Sequence, residues 1–337
     1  MPVVQVLQTP PEDPDDAPLL SVRNLDVTFG SGPDAVRMVR GQSFDVAPGE
    51  TVALVGESGS GKSNAVLGLL DLVRDPGRRH MDSIVFDGLD LNTLSHRQMR
   101  QIRGRRIAMI FQDPMTALNP LITVGKQLVA LAMEHFGLAK REARARAVET
   151  LVKVSITAAE QRMAAYPHQF SGAIRQRVMI AMALIGEPDL QIADEPTMAL
   201  DVSIQAQIIN PLKRLQRGRD LTYLFISHDM AVVRHMSDRV AVMHLGVIEE
   251  LGEGNQIYDT PSHPYTRALL KAVPVPQVTP GAKATVQGIR GELGSPLTLP
   301  SGCRFCEHCP LVQDRCRTEP PRQHALESGH LVVCHVA

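Results

Sequence analysis

Gly56-Glu57-Ser58-Gly59-Ser60-Gly61-Lys62-Ser63 fits the pattern G-x-x-x-x-G-K-[ST], and its setting gives the match weight. It follows a β-branched run, Thr51–Val55, and opens a helical pattern through Val66, Leu69 and Leu70. Glycines at these spacings let backbone N–H groups close around phosphate oxygens, and the helix N-terminus adds a favourable dipole. Lys62 then contacts the terminal phosphates, and the Ser63 hydroxyl ligates Mg²⁺. A Gly-rich turn with a surface Lys would give the same letters, but strand before and helix after argue against it. The expectation is a site for a nucleoside triphosphate.

Outward from this loop, between Leu19 and about Gly254, short apolar runs alternate with helical patterns. The runs are Thr51–Val55, Ile107–Phe111, Leu190–Ala193, Thr222–Ser227 and Val240–Met243. Such runs between helices describe strands of a parallel sheet buried on both faces, in an α/β layer domain. Between Asp113 and Ala173 helical spacing takes over, with Ala143, Ala147 and Leu151 at i, i+4 and i+8. The division expected is a mobile leader (1–18), a cassette (19–254) with a helical insertion at about 113–175, and an extension (255–337). The leader is Pro- and Asp-rich from Thr9 to Pro18. Pro261, Pro264, Pro274, Pro276 and Pro280 mark a linker into the extension.

The chain has 337 residues, 44% hydrophobic and 21% charged, with a formal net charge of −1. That balance argues against gripping nucleic acid or anionic lipid through bulk charge. The longest apolar stretch, Val178 to Ile185, is far short of the roughly 20 residues a membrane helix needs. The first residues have neither the basic nor the apolar region of a secretory signal. All five cysteines lie between Cys303 and Cys334, a clustering that reads as a local metal site rather than a disulfide framework.

Hydrolysis needs a carboxylate to hold Mg²⁺ and a group to activate water. Asp194 and Glu195, at the end of the run Leu190–Ala193, suit these two roles. Ahead of them, Phe170-Ser171-Gly172-Ala173-Ile174-Arg175-Gln176-Arg177 resembles the signature motif of ABC ATPases. Gln112 in Ile110-Phe111-Gln112-Asp113-Pro114 resembles that family's Q-loop, Ala199-Leu200-Asp201 its D-loop, and Ile226-Ser227-His228-Asp229 its H-loop. The motifs stand in the family's order over roughly 230 residues, a run that chance spacing does not produce. The resemblance implies a P-loop, RecA-like ABC cassette with an N-terminal antiparallel β part. By it, Phe29 stacks on adenine, Gln112 senses Mg²⁺ and the attacking water, and His228 holds the γ-phosphate. Ser171, Gly172 and the backbone N–H of Ala173, with Asp201 nearby, serve the ATP bound to an opposite subunit.

Three positions depart from the pattern. Ala173 replaces a glycine; if the position needs φ > 0, the substitution is strained. An asymmetric pair of ATP sites would follow, the one completed by this signature hydrolysing poorly. Gln191 interrupts an apolar strand, and Pro211 falls inside a helix expected from Ile204 to Arg217, where it costs about 3 kcal/mol or forces a kink.

The extension begins with Pro261-Ser262-His263-Pro264-Tyr265-Thr266-Arg267-Ala268-Leu269-Leu270, by itself a turn and an amphipathic helix start. It resembles the element that follows the cassette in dipeptide and oligopeptide importer ATPases, a peptide/nickel family. Val178–Ala183 and Gln112–Pro120 share that likeness. The resemblance implies ATP hydrolysis driving peptide import, with nickel or another small solute as the alternative cargo. A different class, a nucleotide-binding redox regulator with weak ATPase, stays open. Expected partners are a second, different ATPase subunit, two membrane permease subunits and an extracytoplasmic binding protein, with no nucleic acid. The chain would then be peripheral on the cytoplasmic face of the bacterial inner membrane. The stretch Gln112 to Leu121, including Leu118, is the expected permease-docking surface. Cys303, Cys309, Cys316 and Cys334 resemble the spacing at which some such ATPases carry a [4Fe–4S] cluster. Cys306 could replace one of them, because Cys303-x-x-Cys306-x-x-Cys309-Pro310 also resembles a ferredoxin-type run. Zinc on four Cys, or on three with His308 or His335, is the rival, and a tail without metal is the third reading.

Overall fold

The computed structural model describes residues 17–198, 201–273, 294, 297, 299–327 and 329–337. Most of the expected leader, Ala199-Leu200 of the D-loop, and Pro274, Pro276 and Pro280 lie outside the described residues. The chain divides into two compact units: Met1–Ala47, Thr51–Asn92 and Ser227–Ala337 in the first, Pro48–Glu50 and Thr93–Ile226 in the second.

The first unit begins with β1 (Leu20–Phe29) and β2 (Val36–Val46), paired antiparallel. Leu20, Val22, Leu25 and Val27 of β1 are all fully buried although their spacing is not strictly two. The extra residue is absorbed near Asn24, at φ 51, where the register shifts and its N–H donates to Ser43 Oγ at 2.9 Å. After β3 (Thr51–Val55) and α1 (Lys62–Leu69) come β4 (Gly77–His80), β5 (Ser83–Phe86) and β6 (Leu89–Asp90). Sheet order β2-β1-β5-β6, with β4 also on β1, is antiparallel throughout, as the resemblance implied.

The second unit runs through α2 (His96–Ile102) and β7 (Ile107–Ile110) into a helical stretch. That stretch is α3 (Pro114–Ala117), α4 (Val124–Phe136), α5 (Lys140–Lys153), α6 (Ala159–Arg162) and α7 (Gly172–Leu184). Ala143, Ala147 and Leu151 form the buried stripe of α5. Then come β8 (Leu190–Asp194), α8 (Val202–Arg219) and β9 (Thr222–Ser227), with β8 parallel to both β7 and β9. Phe111 was expected in β7, yet it lies beyond the strand and is exposed. Gln191 is tolerated in buried β8 because its side-chain amide donates to the carbonyls of Ala108 and Ile192, each at 3.2 Å. Pro211 lies within α8, which continues to Arg219.

The chain returns to the first unit with α9 (Met230–Met236), β10 (Arg239–His244) parallel to β3, and β11 (Val247–Glu253). The extension adds α10 (Gly254–Asp259), α11 (Pro264–Ala272), α12 (Asp314–Thr318), β12 (Gln323–Ala325) and β13 (Leu331–Val333). β13 pairs antiparallel with β11, Glu250 opposite Val332, and β12 pairs with β13. The tail therefore continues the sheet that carries β3.

Candidate functional site

In the first unit the loop between β3 and α1 forms a cradle that only glycine permits at two points. Gly56 has φ +151, and a Cβ there would stand 2.1 Å from the Met243 carbonyl oxygen. Gly61 has φ +102, and a Cβ would stand 2.3 Å from the Met38 carbonyl oxygen. Gly61, in left-handed backbone, is the N-cap of α1, which therefore starts without a side-chain cap bond. Lys62 is 4% exposed, and its ammonium donates to the carbonyls of Gly56 (2.8 Å) and Glu57 (2.7 Å) and to Ser60 Oγ (3.4 Å). The buried cation is thus held at the mouth of the cradle, a fit for phosphate oxygens. Ser58 and Gly59 are exposed, and Ser60 and Ser63 line the buried side and the first turn of α1. Burial raises the Glu57 carboxyl above its usual range, eased by Lys62 and His308. Phe29 ends β1 opposite Gly77, where a Cβ would come within 2.7 Å of its ring. His228 is exposed just past β9, and the following Asp229 caps α9 by accepting from the N–H groups of Ala231 and Val232.

In the second unit Asp194 is the buried last residue of β8, and Glu195 follows in left-handed backbone at φ 47. A non-glycine residue there is strained by roughly 1 kcal/mol or more, a cost often met where a carboxylate must be aimed. The Glu195 N–H donates to the Ile226 carbonyl at 2.9 Å, which fixes the turn. Gln112 Nε2 donates to Glu195 Oε2 at 3.3 Å and lies 2.7 Å from Met198 Sδ, so the structure brings the expected Q-loop amide and base together. Ser171 is the N-cap of α7, yet its side chain does not cap the helix. Ala173 lies in the first turn of α7 and is absent from the positive-φ residues, so the strain that its substitution suggested does not arise. A residue that sequence reading gave no role, Gln176, donates to the Pro196 carbonyl at 2.7 Å and ties the signature helix to the turn after Glu195. Asp201 N-caps α8 without a side-chain cap bond. Along the expected docking stretch, Leu118 is 3% exposed and belongs to the core, whereas Leu121 is 85% exposed, with Met115 and Phe111 also open.

The extension meets the cradle directly. Glu57 N–H donates to Tyr265 Oη at 3.3 Å, and the Tyr265 ring lies 4.3 Å from His244 and 5.5 Å from Phe305. Glu250 accepts from Ser262 N–H at 2.5 Å, and its Oε1 lies 2.9 Å from Nε2 of the buried His330. Burial alone would raise its carboxyl, but the hydrogen bonds from His330, Thr266 and Ser262 bring it below the usual value. All five cysteines are free thiols, four of them buried, and burial pushes Cys303 up to about 12. Among the described residues no group of three or more His, Cys, Asp or Glu is arranged to hold a metal ion. The expected iron–sulfur site, and zinc with it, therefore finds no support in this arrangement of the described residues. No described helix is long and apolar enough to cross a membrane.

Comparison with known proteins places these features in a family. A model described as ABC transporter matches residues 39–198, and one described as oligopeptide/dipeptide transporter, C-terminal region, matches 250–316. The oligopeptide transport ATP-binding protein AppD of Bacillus subtilis is 44% identical over 94% of this chain and 96% of its own length. The dipeptide transport ATP-binding protein DppD of Escherichia coli is 42% identical over the same shares. Among solved structures, the dimeric bacterial ABC transporter cassette MJ0796 superposes with a TM-score of 0.62 at 27% identity, covering 69% of this chain and 98% of that one. A post-hydrolysis dimer of the same cassette, bound to ADP and Pi, gives 0.60. With strand, cradle, signature and extension in one order, the chain belongs to the ATP-hydrolysing ABC transporter family, in the group that carries the oligopeptide/dipeptide transporter C-terminal region.

Proposed function

We propose that this chain hydrolyses ATP to power import of di- or oligopeptides through a bacterial ABC permease. The observation that carries the reading is the continuity of likeness past the cassette: the relatives named for peptide transport match through the extension, over 94% of the chain. In this reading Gly56 to Ser63 wrap the phosphates, Lys62 turns from the Gly56 and Glu57 carbonyls to the terminal phosphates, and Phe29 stacks on adenine. Ser63, Gln112 and Asp194 hold Mg²⁺, which when bound neutralises charge on the phosphate oxygens. Glu195 takes the proton of the attacking water, oriented by the Gln112 amide that already meets its carboxylate. His228 secures the γ-phosphate. Ser171, the N–H groups of Gly172 and Ala173, and Asp201 complete the ATP site of a second, non-identical ATPase subunit. Release of that clamp after hydrolysis turns chemistry into motion of two permease subunits, fed by an extracytoplasmic binding protein. The chain works at the cytoplasmic face of the inner membrane, divided into leader (1–18), cassette (19–254, helical part about 113–175) and extension (255–337).

The extension carries the finer part of the proposal, a [4Fe–4S] cluster on Cys303, Cys309, Cys316 and Cys334, with Cys306 able to substitute. The donor chemistry supports it: five free thiols confined to one tail, close enough that Cys334, Cys316 and Cys306 each raise the Cys309 thiol further. The thiols would have to draw together to bind. Visible-blue absorption with iron in elemental analysis is expected; zinc alone, or no metal, overturns this part.

The function is tested by co-purifying the chain with its permease and identifying what the binding protein holds. Peptide, and peptide uptake lost in Glu195→Gln while MgATP binding remains, is the expected result. Nickel or another small solute in the binding protein overturns the peptide assignment.

A further inference from the structure

Tyr265 is held from three sides. Its backbone N–H donates to His263 Nδ1 at 3.1 Å, fixing it in the first turn of α11. Its ring is fully buried between His244, at 4.3 Å, and the edge of Phe305, at 5.5 Å. Its hydroxyl accepts the N–H of Glu57, 208 positions away and the second residue of the cradle. The carbonyl of the same residue accepts from the Lys62 ammonium at 2.7 Å. The polar groups of peptide 57 are thus held by two side chains from different parts of the first unit.

We propose that Tyr265 is a positioning residue for the phosphate cradle: an aromatic post from the extension that fixes the Glu57 peptide and so keeps the loop in its phosphate-binding shape. The two anchors differ in what happens when nucleotide arrives. Lys62 leaves the Gly56 and Glu57 carbonyls for the phosphates, because a charge-assisted bond to phosphate is stronger than one to a neutral carbonyl. The Tyr265 hydroxyl has no such competitor, and it remains as the brace on this side of the loop. Phe305 sits between Cys303 and Cys306 in the chain and seats the Tyr265 ring, so the Cys-rich segment supports the cradle mechanically. The proposal rests on the nucleotide-binding reading of the loop, and one of its two measurements needs no nucleotide.

Tyr265→Phe in the full chain keeps the ring and removes the acceptor. Hydrogen exchange of nucleotide-free protein should accelerate in a peptide covering 54–61 while peptides over β7 and β8 exchange as in wild type. MgATP affinity should fall roughly five- to tenfold, the scale of one orphaned buried N–H. Phe305→Leu, which keeps the hydroxyl and loosens its seat, should accelerate the same peptide to a smaller extent. Unchanged exchange over 54–61 in Tyr265→Phe overturns the proposal, and so does an even rise across the whole chain in both variants. Local exchange that rises with affinity unchanged also overturns it, since a brace that does not affect binding positions nothing. If the chain binds no MgATP at all while the exchange result holds, it is the nucleotide reading that fails.

Discussion

Ala173→Gly separates two accounts of the signature motif by the sign of its effect. If Ala173 were forced into left-handed backbone, glycine would relieve roughly 1–3 kcal/mol of strain and speed the site it completes. Ala173 instead occupies the second position of α7 in helical backbone, following Gly172 and the extended N-cap Ser171. Glycine there relieves nothing and loses helix propensity, roughly 0.5–1 kcal/mol in a helix interior and the lower end of that range in a first turn. The expected outcome is destabilisation of the isolated chain by about 0.5 kcal/mol, read as a lower urea midpoint at unchanged m. Phosphate release by the assembled complex should stay within about twofold, because the N–H that this residue offers is the same with or without a Cβ. A stabilised chain, or hydrolysis faster by tenfold or more, would refute the helical account and restore the asymmetric pair.

Gly172→Ala should behave in the opposite way: a Cβ there meets nothing within 4 Å, so the isolated chain should be as stable as wild type or slightly more so, yet phosphate release by the assembled complex should drop at least tenfold if, as proposed, Gly172 completes the ATP site of a second subunit. Leu121→Glu, on a side chain 85% exposed, should leave MgATP binding intact and abolish permease-stimulated hydrolysis, whereas the buried Leu118 is unsuitable for that purpose because its loss would damage the core. Stability should fall as pH is lowered from 6.5 towards 4: burial holds His244 near 3 and His263 near 4 against an ordinary 6.5, so both bind protons more readily when the chain is unfolded. Burial raises Glu249 to about 7, which works the other way between 4.5 and 7, so Glu249→Gln should steepen the acid loss in pH-dependent urea melts; a flat profile from 4 to 6.5 would contradict both assignments.

The cradle was legible because its information is local. A strand of five buried residues, a loop with no room for a Cβ at Gly56 and Gly61, and a helix entered at Lys62 occupy nineteen consecutive positions (51–69). The α5 stripe was legible for the same reason, since one face at i, i+4 and i+8 needs no distant partner to be recognised. Ala173 misled because a glycine-to-alanine change carries no record of backbone angle; only the location of the cap at Ser171 decides it. Leu118 and Leu121 look alike in sequence, and a four-residue helix, α3, is too short to show which of them turns inward. β12 and β13 were invisible because three-residue strands have no period to read; they exist through pairing with each other and with β11.

That pairing changes what the extension is. A boundary after residue 254 marks a change in composition, but in space Glu250 of β11 reaches forward to Ser262 and His330. Ending the chain at 254 would leave this buried carboxylate with none of those donors, and removing even one partner of a buried pair costs about 3–5 kcal/mol. It would also unpair the outer edge of β11 and withdraw Tyr265 from Glu57. A truncated cassette should therefore lose stability and phosphate binding together, even though every motif from Lys62 to His228 is still present. Retention of full MgATP affinity in a chain ending at 254 would mean that the cradle stands on β3 and α1 alone. The contacts argue the reverse: the extension braces the cradle where Tyr265 Oη accepts the Glu57 N–H.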